Sequence, residues 1–482
     1  MSQAALADAT RRVEADIGGR LSDEQQQALR QITGPGGLVV LEGQAGTGKG
    51  VVIKTAAQAW RQDGYAVLGT AVAGATAERL GADANLSRSS TADSLIARDE
   101  QGTLGLDQRS VLVMDEAGMA DTKRLAKLVE IAQRSESKLL LVGDAKQLSA
   151  IGAGGLFDQI KDRVPHAQLS EVRRARHDWE RQAWQQLRDG NTQDVLAAYQ
   201  ARERLHVTDT REQAAEQMVM AWDRDRREVG DEQAVMLTDA SNVELDRINE
   251  MAQQLRDECG ELGDQRVPLK GRPYELAAGD RVIFTASHHQ PGGRRVENGS
   301  LGTIRDAGED GRLTIATAGP HGRVVSVDTR EFQSLKLAYA QHVYKAQGLT
   351  VERAQVLLGG WQTDRERAYV ALSRARERTD IHITRTDLGE EGMDAGAIER
   401  LGEAIAESNA QEASISRQEH ARTEQETELG AGPPAEPARD APVFEGAEAS
   451  REPLSEVGRI LAEQEERERL EAERDDGLGF GI

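Results

Sequence analysis

Residues 38–50 read LVVLEGQAGTGKG, an apolar run that opens into a glycine-rich loop and closes on a lysine. Leu38 to Leu41 has the unbroken apolar character of a strand covered on both faces, and Val51 to Trp60 is compatible with a helix. A strand, a tight turn and a helix in that order call for a parallel sheet with helices packed on it, so the chain is read as α/β. Two glycines and a lysine at this spacing also arise by chance, and the flanking strand and helix carry the reading. Along Gly43, Gln44, Ala45, Gly46, Thr47 and Gly48, the glycines let the backbone aim its N–H groups at phosphate oxygens. Lys49 reaches the β- and γ-phosphates, and the helix N-terminus that follows favours their negative charge. ATP is the expected ligand. One position departs from the pattern: Gly50 stands where a Ser or Thr hydroxyl would bind Mg²⁺. Thr55, about 140° further around a helix, does not replace it, so the metal is left to phosphates, water and acidic residues elsewhere.

Those acids follow. Val111 to Met119, VLVMDEAGM, is an apolar strand ending in Asp115-Glu116. Asp115 is suited to hold Mg²⁺, directly or through water, and Glu116 to orient and deprotonate the attacking water. A third strand, Lys138 to Val142, runs into GDAKQL with Asp144 and Gln147. Ligands of open α/β sheets collect at such C-terminal strand edges.

The 482 residues suffice for two to four domains. Cys259, the single cysteine, excludes a disulfide framework and a cysteine-ligated zinc site and fits a reducing compartment. No apolar leader opens the chain and no stretch approaches 18 apolar residues, so a cytoplasmic protein without a membrane span is expected. The net charge of −22 is uneven: residues 391–482 hold 24 acidic residues against 9 arginines, a net of −15. This tail, with GAGPPAEPARDAP inside it, reads as largely disordered. Residues 453–474 form a helix-prone stretch with a thin apolar stripe at Val457, Ile460 and Leu461; a solvated charged helix is favoured over a partner-binding one.

After AVMLTDASNVELDRIN, residues 272–328 hold short β-type runs with glycine-rich turns, read as a small antiparallel barrel inserted in a larger α/β unit. His288-His289 is read as lying in a loop and YVAL (369–372) as a strand.

Eight segments in order, LSDEQQQAL (21–29), GQAGTGKG (43–50), GTAVAGATAERL (69–80), DEAG (115–118), GDAKQL (143–148), LSEVRRA (169–175), YAQHVYKAQG (339–348) and YVALSRARE (369–377), resemble the motifs of a superfamily 1 helicase. The likeness is greatest to the RecD-like, superfamily 1B group, particularly the helicase portion of TraA/MobF-type conjugative relaxases, and spans roughly residues 20–388. It implies two RecA-like domains, 21–170 and 171–388, the second carrying an SH3-like β insertion, with an N-terminal extension (1–20) and an acidic tail (389–482) outside them. It also implies an ATP- and Mg²⁺-dependent motor on single-stranded DNA, moving 5′ to 3′.

By resemblance, Gln25 recognises adenine, Gln147 senses the γ-phosphate, and Arg174 and Arg374 reach that phosphate from the second domain. Lys345, Gln347 and Gly348 line that domain's nucleotide-facing side, while Thr70, Ala71, Thr76, Thr91 and the turn 298–300 are candidate DNA contacts. Besides Gly50, the chain departs from the family at His342 and Tyr344, where threonine and histidine are common. No histidine cluster of a DNA-nicking domain is present in the sequence, so a stand-alone motor, a truncated homologue and one piece of a split transfer protein all remain open. Two other classes also remain: a degenerate helicase fold that binds without turnover, and an NTP-dependent scaffold whose acidic tail recruits a protein partner.

Overall fold

The structure, a computed structural model, describes residues 1–86, 88–144, 146–147, 156–290, 294–319, 322–359, 363–388, 397–406 and 457–462. The chain divides into two compact units, one built mainly from Met1–Val72 and Thr76–Glu171 and the other from Val172–Asn409.

The first unit is a six-stranded parallel sheet built from β1 (Leu38–Gly43), β2 (Ala66–Ala71), β3 (Arg88–Thr91), β4 (Ser110–Met114), β5 (Lys138–Gly143) and β6 (His166–Leu169), in the order β3-β2-β4-β5-β1-β6. Its helices are α1 (Gln3–Ile17), α2 (Asp23–Thr33), α3 (Lys49–Gln62), α4 (Gly74–Asp83), α5 (Ala92–Glu100), α6 (Thr122–Ser135) and α7 (Leu156–Arg163). Successive strand residues face opposite ways, and the core divides accordingly. Val39, Leu41, Val111, Val113 and Leu140 pack with Ile32, Ile53 and Trp60 of α2 and α3. Leu38, Val40, Leu112, Met114 and Leu139 pack with Leu95, Leu125, Leu128 and Ile160 of α5, α6 and α7. Both faces are covered, hence the near-continuous apolar strand sequences.

The second of these cores also contains Val457 and Leu461, both fully buried, with Ile460 at 6 % exposure. Gly458 lies so close to α6 that a Cβ there would stand 2.9 Å from Gln133 Nε2. The apolar stripe of the tail is therefore seated on the first unit, not solvated as its charged surroundings imply, because three large apolar side chains on one helical face gain more from a dry seat than from water. The rest of the 453–474 stretch lies outside the described residues, as does most of the acidic tail.

The second unit is built on a five-stranded parallel sheet, order β18-β8-β19-β20-β7, from β7 (Leu205–Thr208), β8 (Ala234–Thr238), β18 (Ala340–His342), β19 (Val351–Leu357) and β20 (Ala375–Thr384). Helices α8 (Asp178–Arg188), α9 (Thr192–Gln200), α10 (Arg211–Val229), α11 (Asn242–Glu258), α12 (Arg365–Leu372) and α13 (Ala397–Ala406) accompany it. Between β8 and β18 the chain forms a short pair, β9 (Val267–Pro268) with β10 (Glu275–Leu276), and a five-stranded antiparallel sheet of β11 (Arg281–Phe284), β14 (Leu301–Ala307), β15 (Arg312–Thr317), β16 (Val324–Asp328) and β17 (Leu335–Leu337). This sheet continues past Asp328 because β17 pairs with β11, Val282 opposite Leu337. Phe284, Ile304, Leu313 and Leu337 share one core with Trp222, Met236 and Ile248 of the parallel part.

Two local readings are corrected. His288 and His289 belong to a hairpin of β12 (His288–Gln290) and β13 (Arg294–Val296), not to a loop; the His288 ring lies 4.6 Å from that of Phe332, and this packing draws the segment into extended pairing. YVAL is the end of α12, not a strand: Asp364 Oδ1 accepts from Arg367 N at 2.8 Å and starts the helix, whose residues Ala368 to Leu372 are all buried. An apolar run covered on every side has no periodicity by which to tell the two apart.

Glu180, in the first turn of α8, is 1 % exposed. Burial pushes its carboxyl up to about 7, with the Arg204 cation opposing. The folded chain therefore holds that proton more tightly than the unfolded chain, and stability falls as pH rises from the ordinary carboxylate range to 7. Glu180→Gln should abolish this slope and be the more stable form at pH 8, by up to about 3 kcal/mol, as read from urea unfolding at pH 5 and pH 8.

Candidate nucleotide site

The glycine-rich loop joins β1 to α3 at the C-terminal edge of the first unit's sheet. Gly43 has no room for a side chain: a Cβ would stand 2.9 Å from both Lys49 Cγ and Thr47 Oγ1. Gly46 and Gly48 adopt φ of 80° and 85°, the left-handed region that glycine enters at little cost. Lys49 Nζ donates to the carbonyls of Gly43 (2.5 Å) and Gln44 (3.2 Å), and Thr47 Oγ1 donates to Gln44 O at 2.9 Å. Ala45 and Thr47 are buried beneath the turn.

Asp115 and Glu116 follow β4. Asp115 N donates to Thr70 O of neighbouring β2 at 2.9 Å, and Glu116 N donates to Asp115 Oδ1 at 2.9 Å. Glu116 has φ 52°, unusual for a non-glycine residue, so the backbone turns sharply between the two carboxylates. Burial and then the adjacent Glu116 push Asp115 up to about 6, opposed by Lys49 and Arg79. Gln147 is buried, and its Nε2 donates to Asp144 Oδ2 at 2.9 Å while its Oε1 makes no hydrogen bond within the described residues. Leu148 lies outside the described residues.

Gln25 is placed differently from the role its motif implies. Its Oε1 accepts from Ser22 N at 3.1 Å, closing a capping box at the start of α2, and its Nε2 donates to Thr47 O at 3.1 Å. Both ends of the amide are engaged, one on the helix cap and one on the phosphate loop. A loop brace of this kind predicts that Gln25→Ala weakens ATP and GTP by the same factor, roughly 3- to 10-fold for a lost hydrogen bond. Loss confined to ATP in an equilibrium binding assay would restore the adenine role.

In the second unit, Arg174 Nη1 donates to Ser373 O at 2.6 Å. Arg374 is 1 % exposed, with Nε on Val370 O (2.7 Å), Nη1 on Ala346 O (3.4 Å) and Nη2 on Ser373 Oγ (3.0 Å). Sequence reasoning treats it as a phosphate-reaching arginine, but in this conformation its fork is engaged within its own unit. Gln347 is buried, Gly348 has φ 74° and Lys345 is exposed. Of the candidate DNA contacts, Thr70 and Ala71 are fully buried in β2 between two neighbouring strands, Thr91 Oγ1 caps α5 by accepting from Ser94 N, and Ser300 is buried.

A family model described as an AAA domain matches residues 20–210. The conjugal transfer protein TraA of Agrobacterium fabrum is 34% identical over 365 residues, 76% of this chain and 32% of that protein. The chain is thus similar to TraA over about three quarters of its own length. It spans about a third of the length of that relative. The RecBCD enzyme subunit RecD of Mycolicibacterium smegmatis is 25% identical over 314 residues, 60% of this chain and 52% of that protein. Among solved structures, the Pif1 helicase from Bacteroides in complex with ADP-AlF3 and ssDNA shares the fold with a TM-score of 0.51 at 17% identity, over 84% of this chain and 98% of that one.

The residues present suit a nucleotide with its metal. Loop glycines that admit no Cβ leave the backbone bare for phosphate, Lys49 supplies the cation and Asp115 a half-buried oxygen ligand. Among the described residues no group of three His, Cys, Asp or Glu side chains could hold a metal alone. Mg²⁺ commonly takes one or two carboxylates and completes its shell with phosphates and water. Thr55 cannot contribute, since it is fully buried and donates to Val51 O at 2.8 Å. At Gly50 the space is open: a Cβ there meets nothing within 4 Å. Gly50→Ser should therefore fold normally and lower the Mg²⁺ concentration for half-maximal nucleotide binding roughly tenfold, the worth of one charge-assisted contact. A magnesium titration at fixed ATP checks this.

Arg79 is the residue that sequence reasoning passed over. It lies on α4 with its charge felt at Asp115. The motif 69–80 contains it, but an arginine on a helix carries no signal of its own until the fold sets it near the Asp115 carboxylate.

Proposed function

We propose that this chain is an ATP-driven motor that moves along single-stranded DNA, 5′ to 3′ as its superfamily 1B likeness implies, in conjugative DNA transfer within the cytoplasm. The observation that carries this reading is the phosphate loop with Lys49, the Asp115-Glu116 pair and Gln147 at one sheet edge, in a chain 34% identical to a conjugal transfer protein over 76% of this chain. ATP would lie with its phosphates on the loop backbone and Lys49; Asp115 would hold Mg²⁺, Glu116 would take a proton from the attacking water and Gln147 would report the γ-phosphate. Arg174 and Arg374 would take phosphate oxygens in place of their present carbonyl partners, so that ATP-bound and ATP-free states of the chain differ in energy. The segment from Lys345 to Gly348 couples this change to DNA. The antiparallel sheet of the second unit stands where the resemblance implies an SH3-like insertion, and the acidic tail offers a surface to a protein partner.

The test is Mg²⁺-dependent ATP hydrolysis with and without single-stranded DNA, beside Lys49→Ala. A rate that DNA raises and the substitution abolishes supports a motor, because coupling between the two ligands is what a motor requires. Nucleotide binding without hydrolysis, for which Gly50 is the motivating residue, would instead make this a nucleotide-binding protein of helicase fold.

A further inference from the structure

Among its described residues, the second unit presents one tyrosine, tryptophan or phenylalanine ring to solvent. Among the described residues, Tyr344 is 45 % exposed while every other tyrosine, tryptophan and phenylalanine is buried or half-buried. An exposed ring forfeits the burial that normally holds aromatics inside, so its surroundings bear on what it does. It lies just past β18, the edge strand of the parallel sheet, whose pairing with β8 ends at His342 opposite Thr238. This is the C-terminal end of the sheet, where ligands of open α/β folds gather.

Tyr344 does not stand alone. The His342 ring is stacked on it, centroids 5.5 Å apart and planes 18° from parallel. His342 is itself buried, and its Nε2 donates to Asn242 Oδ1 at 3.1 Å, which ties the ring to the first turn of α11. Lys345 Nζ lies 5.9 Å from the centre of the Tyr344 ring. Beside Asn242, Val243 is 81 % exposed, a second apolar side chain left in water on the opening turn of α11. A flat ring fixed from behind, with an ammonium on a long stem beside it and backbone N–H groups at the start of a 17-residue helix close by, provides what one nucleotide of an unpaired strand offers contacts for: a base face and a phosphate. Burial and the nearby Lys345 hold His342 below the usual histidine range, so at neutral pH it backs the platform as an uncharged ring.

We propose that Tyr344, held by His342, is a stacking platform for an unpaired nucleobase of single-stranded DNA, with Lys345 taking the adjoining phosphate. The proposal rests on the reading of this chain as a DNA-binding motor. It assigns a purpose to the two positions in YAQHVYKAQG at which the chain departs from its family.

The experiment is equilibrium binding, by fluorescence anisotropy, of a labelled oligothymidylate and of the same oligomer with abasic sugars at every position, to the full chain and to Tyr344→Ala, Tyr344→Trp and Lys345→Ala. Tyr344→Ala should weaken the oligothymidylate by roughly 5- to 100-fold, the usual worth of one stacked base, and leave the abasic strand unchanged. Tyr344→Trp should bind, with its indole fluorescence quenched by DNA. Lys345→Ala should weaken both strands alike and flatten the salt dependence. Unchanged affinity of Tyr344→Ala for oligothymidylate, or an equal loss on both strands, overturns the platform. If the unsubstituted chain binds neither strand, the DNA-motor reading itself fails.

Discussion

Glu116→Gln is expected to lower ATP turnover by about 10²–10⁴-fold, the usual contribution of a positioned general base, while nucleotide affinity stays within a few-fold. The amide keeps the size of the side chain and leaves intact the sharp turn at φ 52°, so only proton acceptance is lost. Asp115 behaves differently. Burial and the neighbouring Glu116 push it up to about 6, so it is ionised and able to ligate metal at pH 7.5 but largely protonated at pH 5.5. Mg²⁺ must then displace a proton, and the metal concentration needed for half-maximal rate should rise as pH falls below about 6. Asp115→Asn should require high Mg²⁺ at both pH values. Single-turnover hydrolysis across a magnesium titration at pH 5.5 and 7.5 separates the two carboxylates; equal effects of both substitutions on rate and on metal demand would mean that they do not divide the work.

Leu461→Asp should destabilise the first unit by about 3–5 kcal/mol, since it removes a large buried side chain and puts a charge in its place. The melting temperature should fall by about 10 °C. Ala462→Asp, one residue on and exposed, is the control and should leave it unchanged. A chain ended before residue 457 should behave like Leu461→Asp, because Val457 and Leu461 belong to the same core as Leu112, Met114, Leu125 and Leu128. Equal stability of all four forms would show that the tail segment merely rests on the surface. The consequence is practical: a chain trimmed to the helicase motifs lacks part of the first unit's interior.

The first unit was legible where local chemistry and fold agree. LVVLEG and SVLVM are apolar at almost every position because they lie inside a parallel sheet, and the glycine-rich loop between strand and helix admits few other geometries. The second unit was less so. YVAL has no periodicity to separate helix from strand, and His288-His289 pairs only because Phe284 and Phe332 are brought beside it from opposite sides in the chain. Gln25 was legible as a motif, but not the contacts its amide makes here, one closing a helix cap and one bracing the loop.

The sequence by itself determined the phosphate loop, the order of strand and helix around it and the identity of the acidic pair, because each depends on residues adjacent in the chain. Only the tertiary structure decided that Arg374 is buried on its own backbone, that Tyr344 faces water over His342, and that a stripe within an acidic tail completes the first core. Those outcomes turn on partners that meet only when the chain has folded, and burial, unlike a turn or a cap, is a property of the whole assembly of side chains.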